Sequence, residues 1–326
     1  MDLVLSYRDD LRFARRGRTW ALLAVPVAAA VVLPLVAPLS WTVRATLVWA
    51  TAVGVLGQNL LIGNAGLASF GQAGFLAIGA FSYAHLRHAG VPFLPGATAG
   101  GLAAALFGVL LGLPALRLKG PYLAIATLGF GTAVYQVVAS SERLSGGRTG
   151  MEVSRLPALF GLGRSVDLYY VYLAILLVFV ALTYNLVSSW VGRALAAVRC
   201  SDVAAEASGL SSRRVKVLAF ALSSFYVGVQ GALLAQFLGH VEPQNFTITE
   251  SLTLFAAVIV GGLGSVEGAL FGAAFVVLVP ALGSERGWFT PLVFGAALLL
   301  VMLFEPRGLA GRWQKIRLYF ESWPFR

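Results

Sequence analysis

The chain has 326 residues, of which 58% are hydrophobic and 12% are charged, and its mean hydropathy is +0.82. A soluble domain carries about 25% charged residues, so this composition excludes an ordinary soluble protein and predicts a polytopic membrane protein. The net charge of +10 favours loops held in the cytoplasm over nucleic-acid binding, and the single cysteine, Cys200, excludes an internal disulfide framework.

The N-terminal tail, residues 1–19, carries five arginines and precedes an apolar stretch from Trp20 to Ala37. This order is typical of a secretory signal, but no clear small-x-small cleavage site follows, and many further apolar segments do. We therefore expect an uncleaved first span, a transmembrane domain over residues 20–304 and a basic tail over residues 305–326.

Apolar segments recur along the whole chain and predict an all-α, polytopic transmembrane helical bundle of about ten spans. The predicted spans lie at residues 20–37, 42–63, 71–86, 93–116, 121–141, 168–189, 217–238, 251–264, 269–283 and 288–304. The third, eighth and ninth are shorter than the ~20 residues of a full crossing, so we expect them to be tilted, broken or re-entrant.

Lys and Arg are concentrated in the tail 1–19, the turn after the fourth span, a central loop over residues 190–216, and the tail 305–326. With ten spans, all four segments lie on one side of the membrane, and the positive-inside rule makes that side the cytoplasm. Both termini and the central loop are therefore expected in the cytoplasm, and the loop over residues 142–167 outside.

The motifs of common enzyme chemistries are missing from the sequence. It has no P-loop and no nucleophile elbow, and its three histidines lack the spacing of metal ligands. We expect no enzyme activity, no metal and no cofactor in this chain. Ionisable residues are also nearly absent from the span centres, which counts against a proton- or sodium-coupled carrier, although neutral carbonyl groups can bind sodium.

Neutral polar residues cluster where several glycines interrupt the end of the second span. They are Gln58, Asn59, Asn64, Ser69 and Gln72. Unwound backbone at membrane depth is tolerated only where it is buried in protein or lines a water-filled cavity. The cluster therefore has two interpretations, a substrate path or hydrogen bonding between helices. Isolated Thr127 and Gln230 favour the second.

Two segments resemble each other within the chain. "GLASFGQAGFLAIGAF" begins at Gly66 and "GLGSVEGALFGAAF" begins at Gly262. Each has the pattern Gly-Leu-x-Ser, follows an apolar span and leads into a helix of small residues. Many transporters contain internal repeats with the substrate path at interrupted segments, and chance similarity in a Gly/Ala/Leu-rich chain is the alternative.

The polar stretch "RCSDVAAEASGLSSRRVK", residues 199–216, predicts a short helix within the central loop. Ser201 or Asp202 can cap its beginning, and Gly209 can end it. A helix of about two turns is marginal in water by itself. It therefore needs a surface to pack on, either its own bundle or another protein.

The segment "AAEASGL" resembles, in shortened form, the Glu-Ala-x-x-x-Gly loop of ATP-binding cassette (ABC) importer permeases. From about residue 42 onward the chain resembles the branched-chain amino acid permeases of the LivM type. The motifs that carry the resemblance are "GLASFGQAGFLAIGAF", "LRLKGPYLAIATLGFG", "LSGGRTGM", "GRALAAVRCSDVAAEASGL", "VIVGGLGSVEGALFGAAF" and "EPRGLAG".

This resemblance implies an ABC importer permease fold in a bacterial cell membrane and one half of a translocation path for branched-chain or related amino acids. It implies a second, LivH-like permease, two ABC ATPase subunits, a periplasmic or lipid-anchored substrate-binding protein, and membrane lipid as partners, and no nucleic acid. It assigns ATPase coupling to Ala204, Ala205, Glu206, Ala207, Ser208, Gly209 and Leu210. A permease for urea or short amides and an ion-coupled secondary carrier are the alternatives.

Overall fold

The computed structural model describes residues 28–115, 118, 120–154, 163–282, 290–305 and 308–313. The basic tail 1–19, the residues after 313 and part of the predicted external loop lie outside this range. Within it the protein is almost entirely helical, as the sequence predicts, and each of the ten predicted apolar segments contains a helix.

We number the helices in chain order. They are α1 (28–36), α2 (Leu39–Asn59), α3 (Gln72–His88), α4 (Phe93–Ala115), α5 (Pro121–Ser140), α6 (Glu142–Ser145), α7 (Arg164–Ser188), α8 (Trp190–Cys200), α9 (Asp202–Ala207), α10 (Ser212–Leu238), α11 (Ile248–Gly261), α12 (Val266–Leu282), α13 (Thr290–Phe304) and α14 (308–313). A π-helical turn at Leu60–Asn64 extends α2, and 3-10 turns lie at Gly147–Thr149 and Pro243–Phe246. Strands β1 (Met151–Glu152) and β2 (His240–Val241) pair antiparallel.

In the part of the chain that the structure describes, five helices are long and apolar enough to cross a membrane: α2 with its π turn, α4, α5, α7 and α10. The three segments predicted to be short are confirmed as short, because α3, α11 and α12 have 17, 14 and 17 residues. A full crossing takes ~20 residues. The bundle therefore combines full-length helices with shorter ones.

Two predicted boundaries differ from the structure. The central loop 190–216 is largely helical, because α8 fills its first part and α10 begins at Ser212 rather than at residue 217. The polar residues at the start of α10 extend the helix beyond its apolar part, which hydropathy alone does not detect. At the other end, α7 begins at Arg164, so the predicted external loop is shorter than residues 142–167.

Helix α10 lies at the centre of the bundle and packs against α2, α3 and α4. Small residues permit this close approach: a Cβ added to Gly79 of α3 would lie 2.1 Å from the carbonyl oxygen of Gly228. A Cβ added to Gly108 of α4 would lie 1.9 Å from the hydroxyl of Ser224. Glycine-rich faces therefore hold the helices together, as is usual for helices in lipid.

One end of the bundle, the cap end, carries the segment 142–154 and the strand pair. Each of the three histidines in the chain places Nε2 2.8 Å from a backbone carbonyl oxygen of this segment: His85 at Leu144, His88 at Glu152 and His240 at Thr149. These contacts attach the segment to the end of α3 and to the chain after α10. The opposite end, the α9 end, carries α8, α9 and the π turn.

Candidate functional site

The five clustered polar residues lie at or beside the helix break after α2: Gln58 and Asn59 end α2, Asn64 ends the π turn, Ser69 lies in the irregular stretch and Gln72 begins α3. The amides of Ala65, Gly66 and Leu67 donate to carbonyls of the π turn Leu60–Asn64, and the chain then runs without regular structure to Gln72. Gly66 has a φ of +70°, which glycine adopts at low cost. The turn thus ends the helix and sends the chain back along it.

Two adjacent side chains at the end of α2 connect the two Gly-Leu-x-Ser segments. Gln58 Nε2 donates to the carbonyl oxygen of Ser69 at 3.3 Å, and Asn59 Nδ2 donates to that of Ser265 at 2.8 Å. Asn59 Oδ1 also accepts from the amide of Gly264 at 2.8 Å. The two serines occupy the same position in the two similar segments. Matching positions of the two segments are therefore hydrogen-bonded to adjacent residues of α2.

The amides around the start of α3 are bonded partly by Ser69 Oγ, which accepts from Gly71 at 3.4 Å, and partly by side chains of distant helices. The amide of Phe70 donates to Thr127 Oγ1 of α5 at 3.0 Å, and the amide of Ala73 donates to Ser251 Oγ of α11 at 2.8 Å. Irregular backbone inside a membrane must be satisfied in this way or by water. Thr127, which the sequence indicates only as a packing residue, therefore supports the break directly.

The predicted path residues are closed off from solvent inside the chain. Gln58, Ser69 and Gln72 have no exposed surface, Asn59 is 3% exposed, and Asn64 is half-buried. The carbonyl oxygens of the Gln58 and Gln72 side chains lack a hydrogen-bond partner among the described residues. A buried acceptor without a hydrogen bond costs about 1–3 kcal/mol. The packing of the described residues therefore leaves two side-chain oxygens beside the break free to accept a hydrogen bond.

Sequence reasoning missed two residues at the break, Ser223 and Ser251. Ser223 Oγ lies 3.5 Å from Gln72 Nε2, and Ser251 caps the amide of Ala73. These pairs are 151 and 178 residues apart in the chain. A serine within a helix gives no local signal of such a distant contact.

At the other candidate site, the short helix α9 forms where the sequence predicts it. Ser201 Oγ accepts from the amide of Ala204 at 3.3 Å and caps its beginning. Gly209, with a φ of +82°, ends it, and the amide of Leu210 donates back to Ala205. The helix therefore has a defined beginning and a defined end.

The two faces of α9 differ in burial. Ala205 is 3% exposed and lies in an apolar cluster with Leu195 and Phe220. Val203 is 78% exposed, and Glu206 lies on the exposed side with Ala204, Ala207, Ser208 and Gly209. The sequence motif, which starts at Ala204, omitted Val203; an apolar side chain in a polar loop was the available signal.

Asp202 fixes α9 to the central helix. One carboxylate oxygen accepts from the hydroxyl of Ser212 at 2.7 Å, and the other lies 2.6 Å from the ammonium of Lys216. Both side chains of the ion pair are mostly shielded, at 31% and 14% exposure, so solvent screens the pair less than a fully exposed one. The short helix is thus attached to the beginning of α10.

Comparison with known proteins fits this architecture. A family model described as branched-chain amino acid transport system / permease component matches residues 40–304. The chain belongs to this family. No solved structure matches it.

The curated relatives include two permease types. The chain is 35% identical over 280 residues to the high-affinity branched-chain amino acid transport system permease protein LivM of Escherichia coli (strain K12). That match covers 78% of this chain and 66% of the relative, so the chain spans somewhat under two thirds of the relative's length. A LivH permease of Salmonella typhimurium is 29% identical over 178 residues, covering 54% of this chain and 52% of the relative.

Proposed function

We propose that this chain is a permease subunit of an ABC importer and forms half of the translocation path for branched-chain or related amino acids. The observation that carries the proposal is the two-faced helix α9, which is fixed to α10 by Asp202 and exposes Val203 and Glu206. A rigidly held helix with one exposed apolar side chain is a suitable contact for an ATPase. The family membership and the named relatives support the transport role.

Orientation follows from the same proposal. ATP-hydrolysing partners are cytoplasmic, so the α9 end and both termini lie in the cytoplasm and the cap end faces outward, towards a periplasmic or lipid-anchored substrate-binding protein. In a background where Cys200 is serine, cysteine at Val203 is expected to react with reagents only from the cytoplasm, and cysteine at Arg148 only from outside. The reverse pattern would contradict the orientation.

The second permease is proposed to cover the exposed face of α5. Thr132, Gln136 and Ser140 are exposed on this helix, and lipid offers an amide such as that of Gln136 no hydrogen-bond partner. Similarity to both LivM and LivH proteins supports a pair of related permeases. Cysteine at Gln136 is expected to cross-link to the partner permease, whereas cysteine at Leu182, exposed on α7, is the control expected not to.

The substrate path is proposed to include the helix break with Gln58, Asn59, Asn64, Ser69 and Gln72. Because Ser69 and Gln72 have no exposed surface, the break must open during the transport cycle. A cysteine at Ser69 is therefore expected to react with a small thiol reagent only when ATP and the loaded binding protein are present. Equal reactivity with and without them would assign the cluster to packing alone.

The decisive experiment tests docking on α9. Combining Val203→Asp with Glu206→Lys replaces the exposed apolar and acidic groups and is expected to weaken ATPase binding by roughly 2 kcal/mol or more, which is about thirtyfold. Co-purification of the ATPases with the permease pair measures this. Ala196→Asp, on the exposed side of α8, is the matched control.

Wild-type co-purification of the ATPases with the double variant would contradict the proposal. Uptake into liposomes driven by an ion gradient, without any ATPase, would replace it with an ion-coupled carrier.

A further inference from the structure

Arg199 extends from the last turn of α8 to the helix break. Its Nη1 donates to the carbonyl oxygen of Gly63 in the π turn, 136 residues away in the chain. The aliphatic part of the same side chain packs on Gly66, where an added Cβ would lie 2.9 Å from Arg199 Cγ. One side chain therefore touches the last part of the turn that closes α2 and the glycine that follows it.

The carbonyl of Gly63 needs a donor from outside its own helix. The last carbonyls of a helix have no partner within it. The amides of Ala65, Gly66 and Leu67 donate to the carbonyls of residues 60, 62 and 61, and Arg199 serves the carbonyl of Gly63. A cation at a helix C-terminus is also favoured by the helix dipole.

The same contact lies where the two Gly-Leu-x-Ser segments meet. A Cβ added to Gly63 would lie 2.3 Å from the amide nitrogen of Gly264, so these two backbones touch. Asn59 accepts from that amide. A displacement of Arg199 therefore acts on a junction that includes both segments.

We infer that Arg199 is a positioning residue that transmits movement of α9 to the helix break. The inference rests on the proposed ATPase docking. Arg199 directly precedes Cys200 and the cap of α9, and Asp202, at the start of α9, bonds to α10. A force on α9 reaches the bundle through these two attachments: Asp202 carries it to the central helix, and Arg199 carries it to the break.

The test compares Arg199→Ala with Arg193→Ala in the complete complex reconstituted in proteoliposomes. Arg193 lies on the same helix, and among the described residues its Nη1 donates to the nearby carbonyl of Ser188 and to no distant element. Arg199→Ala is expected to retain the ATPases and basal ATP hydrolysis, while the substrate transported per ATP falls by roughly tenfold or more, since a charge-assisted hydrogen bond is lost. Arg193→Ala is expected to match the wild type.

A second readout separates transmission from simple stabilisation. The ATP-dependent reactivity of a cysteine at Ser69 is expected to disappear with Arg199→Ala and to return in part with Arg199→Lys, which keeps one cationic donor. If Arg199→Ala does not assemble, the substrate transported per ATP and the ATP-dependent reactivity of the cysteine at Ser69 are measured on Arg199→Gln instead, and these results test the inference.

An unchanged transport-to-ATP ratio overturns the inference, as does loss of the ATPases from the Arg199 variants. Absence of ATPases from the wild-type complex instead overturns the proposed function.

Discussion

The two Gly-Leu-x-Ser segments share a sequence pattern but start their helices differently. In the second, α12 begins at Val266, directly after Ser265, and Ser265 Oγ accepts from the amide of Gly268 at 3.0 Å. In the first, Phe70 and Gly71 separate Ser69 from α3; the amide of Gly71 reaches Ser69 Oγ at 3.4 Å, whereas the amides of Phe70 and Ala73 reach hydroxyls on α5 and α11. The second start is capped within its own segment, and the first also depends on other helices.

This difference indicates which segment can respond to helix movement. A locally capped helix start keeps its hydrogen bonds when neighbouring helices shift. The start of α3 would lose two of its partners if α5 or α11 moved, because Thr127 and Ser251 supply them. Gln58 and Asn59 hold both segments to α2, and we expect the second, locally capped segment to be the fixed one of the two.

The largest expected effect comes from separating the π turn from the second segment with Gly63→Val. A Cβ at this position would lie 2.3 Å from both the Gly264 amide nitrogen and Asn59 Oδ1, and backbone cannot move aside cheaply. We expect a loss of more than ~4 kcal/mol, enough to prevent assembly of a marginally stable protein. The yield of monodisperse protein on size-exclusion chromatography measures this.

Gly129→Ala is the matched control for that substitution. It lies in α5, and an added Cβ there would meet no described atom within 4 Å outside the adjoining backbone of its own helix. Yield is expected to match the wild type. If Gly63→Val also purified in wild-type amounts, the π turn and the second segment could not be in backbone contact.

The next largest effect is expected to differ between the two amide side chains at the end of α2, Asn59 and Gln58. Asn59 makes two hydrogen bonds at 2.8 Å to the second segment, and Gln58 makes one at 3.3 Å to the first. Asn59→Ala is expected to cost about 2–4 kcal/mol and Gln58→Ala about 1 kcal/mol, since each lost bond leaves buried groups unpaired. Apparent melting temperatures in detergent rank the variants, and equal values would remove the distinction between a fixed and a responsive segment.

Much of this organisation could be predicted from the sequence because it depends on local patterns. Apolar length predicted the ten helices and the short α3, α11 and α12. Ser201 and Gly209 predicted the limits of α9 through capping. The polar cluster at the break was also visible, because Gln58 to Gln72 are close together in the chain.

The partners of those residues could not be predicted. Asn59 binds Ser265, 206 residues away, and Arg199 binds Gly63, 136 residues away. Such pairs depend on how the helices pack, which hydropathy and capping patterns do not specify. Arg199 was therefore counted only as one of several basic residues in a loop, where charge indicated its side of the membrane and nothing more.

A smaller effect is expected from Ser251→Ala, which removes the acceptor for the amide of Ala73 at the start of α3. Ser251 is 1% exposed, so water does not replace it readily, and we expect a cost of about 1–3 kcal/mol. Because the first segment is the responsive one, uptake per ATP is expected to fall as well. A lower melting temperature with unchanged uptake would show that this cap stabilises the fold without taking part in transport.

The smallest effect is expected from Ser265→Ala at the corresponding position of the second segment. Its hydroxyl caps the amide of Gly268, but Ser265 is only half-buried, so water can take over part of this role. Loss of an N-cap costs about 1 kcal/mol. Because α12 starts within a fixed segment, uptake per ATP in proteoliposomes is expected to stay at the wild-type level. A fall in uptake as large as that of Ser251→Ala would mean that both segments move during transport, and the locally capped one would no longer be a fixed reference.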